Sequence, residues 1–518
     1  MPVDPITGLY LGLGLIAAGS GGIKPCVSAH VGDQFGKSNW HLLQKVYNAF
    51  YFIINFGSAF ATIIIPIIRG KVGSLSSAGE CIPLESGADM VGTVCYTGSV
   101  GWAFGIPGIL MGLATIAFWM GRHKFIHVPS NPGGKLGLLD VLSGTFLANI
   151  IIYPIFLKGQ FGTDAIGTTI VIIASFMVHL VIFQYRQKIE ADDGFLAILY
   201  FSIARKLRGG SGQGGFFGPA NEKYGEDIVE GPIAVLRIMS VFLMVSVFWG
   251  LFDQHSTTWL KQAQLMDRQL GVALFSFDPD AAYGLTFSDS AALLTEWIWI
   301  GVGLGLVLGL TAYVSFKQRS RKLLGLVVGI VVGVIVAMLA YDNGGYYDMQ
   351  ASQIPAINPF LVMLLIPATT FGIYPLMDKI GFTPHPLRRM TIGMFMASLA
   401  FVAVAFVQMA IDEAAERGET VHVVWQVIPY VIMTLSEVMV SITGLEFGYS
   451  QAPKKVKSVI MGIWLLMVSL GNVLVAFVAN FQMGPLEFFW VFAGLMAVAA
   501  LLFGLRAAAY TYKDYAQG

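Results

Sequence analysis

Charge is what this sequence most conspicuously lacks. Of its 518 residues only 12% are Asp, Glu, Lys or Arg, against about 25% in a soluble domain. What charge there is balances, with 31 basic and 31 acidic residues, so nothing suggests nucleic acid as a partner. Cysteine is nearly absent, and three residues cannot make a disulfide framework. No HExxH, CxxC, P-loop or GxSxG string occurs, so no enzyme constellation is visible. The first 25 residues (MPVDPITGLYLGLGLIAAGSGGIKP) have no basic n-region and run into a stretch too long for a signal-peptide core.

Apolar length is abundant instead. Mean hydropathy is +0.70 and 56% of residues are hydrophobic. Runs able to cross about 30 Å of hydrocarbon fall near 7–30, 46–69, 99–121, 165–185, 233–253, 292–316, 322–341, 357–378, 389–411, 423–447, 458–480 and 486–509, with a shorter thirteenth near 141–158. The pattern predicts an all-α integral membrane protein of about 13 membrane helices, embedded in a lipid bilayer. The loops between runs alternate in charge. RHK (122–124), RKLR (205–208), KQRSRK (317–322), LRR (387–389) and KKVK (454–457) are basic; 71–98, 254–291, 342–356 and 411–419 are acidic or neutral. The positive-inside rule puts the basic set, and the C-terminus, in the cytoplasm. Cys81 and Cys95 share an exterior loop, where they are either a disulfide or two small residues. A polar, Gly-rich segment at 186–231 reads as a cytoplasmic linker.

A few polar residues interrupt the apolar runs. Glu437 lies in the middle of IPYVIMTLSEVMVSITGLEF. A carboxylate at that depth costs about 3 kcal/mol or more, which makes it a functional candidate in need of a partner. Lys24, in GSGGIKPCVS, lies too far from the nearest loop for easy snorkelling. Gly14, Ala18 and Gly22 precede it as a small-residue stripe suited to close helix approach. Tyr47, Tyr51, Asn55 and Ser58 share one helix face, as interhelical glue or as a cavity lining. Asp253, with Trp249 one turn before it, closes an apolar run, and the bland reading is an interfacial acid. Asn358, at the head of a span just before Pro359, reads by itself as a turn or N-cap residue. Tyr430, Glu437 and Ser441 share a face; Glu446 is expected to meet water or Lys454 and Lys455; Trp464 reads as a core aromatic.

Taken together, LGLIAAGSGGIKPCVSAHVGDQF (13–35), FYFIINFGS (50–58), FWGLFDQ (248–254), INPF (357–360) and ITGLEFGYSQAPKKVKS (442–458) resemble the proton-dependent oligopeptide transporter (POT) family of the major facilitator superfamily. The resemblance covers most of the chain. It implies a proton-coupled symporter of di- and tripeptides that works by alternating access between two bundles, with no cofactor beyond the proton gradient, in the inner (plasma) membrane. Carried over by motif, Lys24 and Glu437 would form a cross-bundle pair. Glu437, Asn55 and Asn358, with Tyr51 beside them, would hold the peptide amino end. Asp253 would be a proton-sensitive acid, and Trp249 and Trp464 would wall side-chain pockets. Members begin with three further helices, the first bearing an ExxER-type motif that is not present here. The resemblance therefore leads us to expect an N-terminally incomplete, coupling-deficient form: residues 1–125 as family helices 4–6, 126–231 as a linker with two extra helices, and 232–518 as the C-terminal bundle with a helix pair inserted at about 292–341. The same fold moving nitrate or another small solute, and a non-transporting membrane sensor or scaffold, are the alternatives.

Overall fold

The computed structural model describes residues 5–35, 38–70, 72–73, 80–86, 89–96, 100–126, 133–154, 162–191, 193–209, 215–271, 346–453, 456–513 and 515. Eleven helical stretches among the described residues are long and apolar enough to cross a membrane. They correspond one for one to eleven of the thirteen expected runs; the other two, 292–316 and 322–341, lie outside the described residues.

In chain order the helices are α1 (Pro5–Asp33), α2 (Leu43–Arg69), α3 (Val100–Gly121), α4 (Gly134–Ile152), α5 (Ala165–Ile189), α6 (Phe195–Leu207), α7 (Gly218–Tyr224), α8 (Glu226–Phe252), α9 (Thr258–Gln264), α10 (Ile357–Ala368), α11 (Tyr374–Lys379), α12 (Pro386–Glu416), α13 (Val427–Glu437), α14 (Thr443–Ser450), α15 (Lys457–Ala479) and α16 (Pro485–Ala508). A π turn at Thr369–Ile373 joins α10 to α11, and a second at Val438–Ile442 joins α13 to α14, so each pair is one span with a bulge inside it. Bulges of this kind cluster at functional sites, and the second begins one residue after Glu437.

Several expected boundaries move. α4 begins at Gly134 rather than near 141. The extension takes in Asp140, which the helix tolerates because Arg186 of α5 donates to it at 3.1 Å. Further along the same pair, Ser143 meets His179 at 2.9 Å and Asn149 donates to Ser175 at 2.9 Å. This polar seam supplies the interhelical hydrogen bonds that hold membrane helices together where apolar burial cannot. The 186–231 stretch is not a plain linker, since it carries α6 and α7, and Ile198, Ala220 and Val229 pack into a small core there. α8 starts at Glu226, so the boundary expected at 231/232 falls inside a helix.

The segment between α2 and α3 contains a three-stranded antiparallel sheet of β1 (Val72–Gly73), β2 (Glu80–Ser86) and β3 (Asp89–Tyr96), in the order β1-β3-β2. Its backbone register sets Cys81 opposite Cys95; their side chains lie outside the described residues. β4 (Gln269–Gly271) and β5 (Tyr346–Asp348) form an antiparallel ladder that pairs Gly271 with Tyr346. The chain therefore resumes at Tyr346 beside the point it left at Gly271.

The main core lies among α8, α10 and α12–α16, around Phe242, Phe248, Phe401, Phe447, Phe489, Phe492 and Phe503, each fully buried. The closest helix crossing is between α8 and α15. A Cβ on Gly471 would fall 2.3 Å from the Ser246 carbonyl oxygen, and one on Gly250 would fall 2.8 Å from the Gly471 carbonyl oxygen. Only glycine at both positions permits backbones this close. The stripe of Gly14 and Gly22 on α1, by contrast, meets nothing within 4 Å among the described residues.

Candidate functional site

Glu437 is 3% exposed, and both of its oxygens are occupied. Tyr51 of α2 donates its hydroxyl to Oε1 at 2.6 Å. Asn358 of α10 donates its amide to Oε2 at 2.7 Å, and the same nitrogen lies 3.1 Å from the Thr434 hydroxyl. A buried carboxylate is tolerated when each lone-pair direction meets a donor. The Tyr51 contact is the one that crosses between the helix groups, spanning 386 positions in sequence.

The expected Lys24–Glu437 pair is not formed in this structure. Lys24 is exposed, and no hydrogen bond or ion pair joins it to Glu437 among the described residues. Its charge acts on Asp253 instead. Asp253, at the C-terminal end of α8, accepts a hydrogen bond from Asn472 of α15 at 2.6 Å. Lys24 is within electrostatic reach of Asp253 with no ion pair between them among the described residues, while the phenol of Tyr51 meets the acid of α13 directly.

The polar stripe on α2 divides its duties. Tyr47, fully buried, donates to the Ser28 carbonyl of α1 at 3.1 Å, which is glue. Tyr51 serves Glu437. Asn55 turns back to the Tyr51 carbonyl at 2.9 Å and stands one turn beyond the carboxylate's partner. Ser58 is exposed. Asn358 is a ligand of the carboxylate rather than a helix cap. Trp249 and Trp464 pack edge to face, with ring centroids 5.9 Å apart. Trp464 sits on Gly444, where a Cβ would come 2.1 Å from the indole ring. Both indoles are buried, and in this arrangement each fills the space beside the other.

Glu446 faces Arg389 of α12 at 4.0 Å, and Lys454 and Lys455 lie outside the described residues. Tyr430 is a structural pin, donating to the His255 carbonyl at 2.8 Å. Sequence reasoning passed over Thr434 and Asn472. Asn472 is a lone polar residue inside an apolar run, the same signal that marked Glu437. Among the described residues no group of three or more His, Cys, Asp or Glu is placed to hold a metal ion.

A buried, doubly clasped carboxylate between two groups of spanning helices defines the class: a multi-pass membrane transporter of the major facilitator type. The POT family profile matches residues 4–138 and 334–487, more than half of the chain, and the protein belongs to that family. The profile leaves unmatched the segment that carries Trp249 and Asp253. Solute carrier family 15 member 1 of Mus musculus is 25% identical over 405 residues, covering 78% of this chain and 36% of that protein. The chain thus spans about a third of that relative's length. Peptide transporter 3 of Caenorhabditis elegans is 24% identical over 633 residues, covering 98% of this chain and 79% of that protein. Among solved structures, an auto inhibited POT family peptide transporter is similar with a TM-score of 0.55 and 27% identity, covering 99% of this chain and 80% of the other. The POT family transporter PepTSo gives 0.56 and 27%, covering 98% and 79%. POT family proteins are transporters, not enzymes.

Proposed function

We propose that this chain takes part in proton-coupled symport of di- and tripeptides by alternating access, in a plasma (inner) membrane with its basic loops and C-terminus cytoplasmic. The observation that carries the reading is Glu437 held between Tyr51 and Asn358. A zwitterionic peptide offers an ammonium that a buried carboxylate attracts strongly in a low dielectric. To reach Glu437 the ammonium replaces the Tyr51 hydroxyl, and so exchanges a charge-assisted hydrogen bond for a full ion pair. Asn358 keeps the carboxylate oriented, and the amide oxygen of Asn55, one turn from Tyr51, would accept a second hydrogen bond from the ammonium.

Protonating the acid removes the attraction for the ammonium and for any lysine that approaches. That is the two-state element a proton gradient biases. Lys24 is the mobile charge in this scheme: it is within electrostatic reach of Asp253 in the present arrangement and would pair with Glu437 in the alternate one. The names of two relatives, Peptide transporter 3 of Caenorhabditis elegans and Peptide transporter family 1 of Drosophila melanogaster, at 24 and 25% identity, support a peptide substrate.

The experiment is uptake of a labelled dipeptide into proteoliposomes under an imposed inward pH gradient. Accumulation that unlabelled di- and tripeptides compete away is expected. Uptake indifferent to peptides but blocked by nitrate or another small solute would overturn the assignment in favour of another cargo for the same fold. Peptide binding without accumulation would favour a sensor.

A further inference from the structure

Asp253 and Asn472 meet where two membrane helices, α8 and α15, touch backbone to backbone. Gly250 lies three residues before Asp253, and Gly471 immediately precedes Asn472. The Gly471 α-carbon is so close to α8 that a Cβ there would overlap the Ser246 carbonyl at 2.3 Å and the Gly250 nitrogen at 2.5 Å. Backbone contact of this kind fixes the separation and rotation of the helices without relying on side-chain rotamers. One residue beyond it on α15, the Asn472 amide reaches the Asp253 carboxyl at 2.6 Å. The charged and titratable groups facing Asp253 are Lys24 of α1, Glu437 of α13 and Tyr51 of α2. The neighbouring His255 on its own element turns inward, to the Phe252 carbonyl. From α15 the contribution is the neutral amide.

An amide suits a carboxyl that changes protonation state. Its NH2 group donates to a carboxylate, and after a flip its carbonyl accepts from a carboxylic acid. A lysine or arginine in its place would favour the ionised form, and a hydrophobe would satisfy neither. We infer that Asn472, held by the Gly250–Gly471 crossing, is the positioning residue that keeps Asp253 oriented in both its charged and neutral forms while Lys24 comes and goes. The inference rests on the proton-coupled reading above.

The test uses the full chain in proteoliposomes, with Asn472→Leu, Asn472→Gln and Asn472→Asp. The first readout is the carboxyl stretch of Asp253, isolated as an infrared difference against Asp253→Asn and titrated with pH. Asn472→Leu is expected to displace its midpoint by about one pH unit, a tenfold change in proton affinity. Asn472→Gln, which keeps the amide, should bring the midpoint back toward wild type. Asn472→Asp, close to isosteric, should make the band titrate in two coupled steps, as paired carboxyls do; it carries the test if the leucine variant does not fold. The second readout is transport. The pH profile of gradient-driven uptake should move with the band, while exchange of labelled for unlabelled dipeptide at equal pH stays within about twofold of wild type. A band that titrates identically in wild type, Asn472→Leu and Asn472→Asp overturns the inference. A wild type that neither accumulates nor exchanges peptide sinks the transport reading instead, and the infrared titration still decides the role of Asn472.

Discussion

The helices before α4 and the long helices from α8 onward are all apolar enough to span a membrane, yet they bury their residues very differently. In the most apolar window of α1 and of α3, 6% of residues are buried, against 56% in the Glu226–Gln264 span and 61% in Val423–Ser450. Leu15, Ile16, Phe104 and Met120 are open on the first group, at 75, 64, 70 and 70% exposure, while Phe242, Phe401 and Phe447 are closed in the second. The contrast teaches that hydropathy alone does not assign core. In a bilayer, an apolar side chain is as well accommodated by lipid as by protein. Close packing is signalled instead by glycines that meet a neighbour and by polar groups that find one.

The sharpest break of this comparison would come at Glu437. Glu437→Gln keeps the shape and loses the charge, and with it the charge-assisted character of two hydrogen bonds worth about 1.5–3 kcal/mol each. Gradient-driven dipeptide uptake should fall by about a hundredfold, and undiminished uptake would remove this residue from the scheme. Next in size is a matched pair of glycine replacements. Gly471→Val forces α8 and α15 apart and should destabilise the purified protein by about 1–3 kcal/mol. Gly14→Val, where nothing lies within 4 Å, should change stability by no more than about 0.5 kcal/mol. Thermal unfolding in one detergent compares them directly, and equal losses would erase the distinction between the two helix groups.

A smaller effect is expected for the bridge between the groups. Tyr51→Phe removes the donor to Glu437 Oε1, and a double-mutant cycle with Glu437→Gln should return a coupling of about 1–2 kcal/mol. Tyr47→Phe, whose hydroxyl serves the Ser28 carbonyl, should return close to zero in the same cycle. Least of all should follow from loosening the C-terminal tail. Lys513 and Tyr515 bond to Glu230 of α8, and Arg237 bonds to the Tyr515 hydroxyl at 2.6 Å. These groups are partly exposed, so Lys513→Ala should cost under about 1 kcal/mol and fade in high salt.

Spans and candidate acids were legible because they depend on local sequence. Length and hydropathy located eleven of eleven described spans, and an intramembrane carboxylate announces itself by its expense. Partners were not legible. Lys24 was the expected mate of Glu437 because opposite charges should meet, yet the structure gives that place to Tyr51 and leaves Lys24 exposed. The Tyr51 face was visible in the 4-residue spacing of Tyr47, Tyr51 and Asn55, but nothing local says that a phenol on one helix will meet a carboxylate 386 residues later. Asn472 escaped notice because one amide costs less in a membrane than one charge and so stands out less from its run.

By itself the sequence determined that the chain crosses a membrane many times, where each crossing falls and which family's motifs it bears, since these follow from side-chain transfer energies and short-range spacing. Only the tertiary structure decided which helix meets which acid, that the chain resumes at Tyr346 beside Gly271, and that α8 and α15 touch through Gly250 and Gly471. Those outcomes depend on backbone approach and on donor geometry between segments hundreds of residues apart, and neither is encoded in any one stretch of chain.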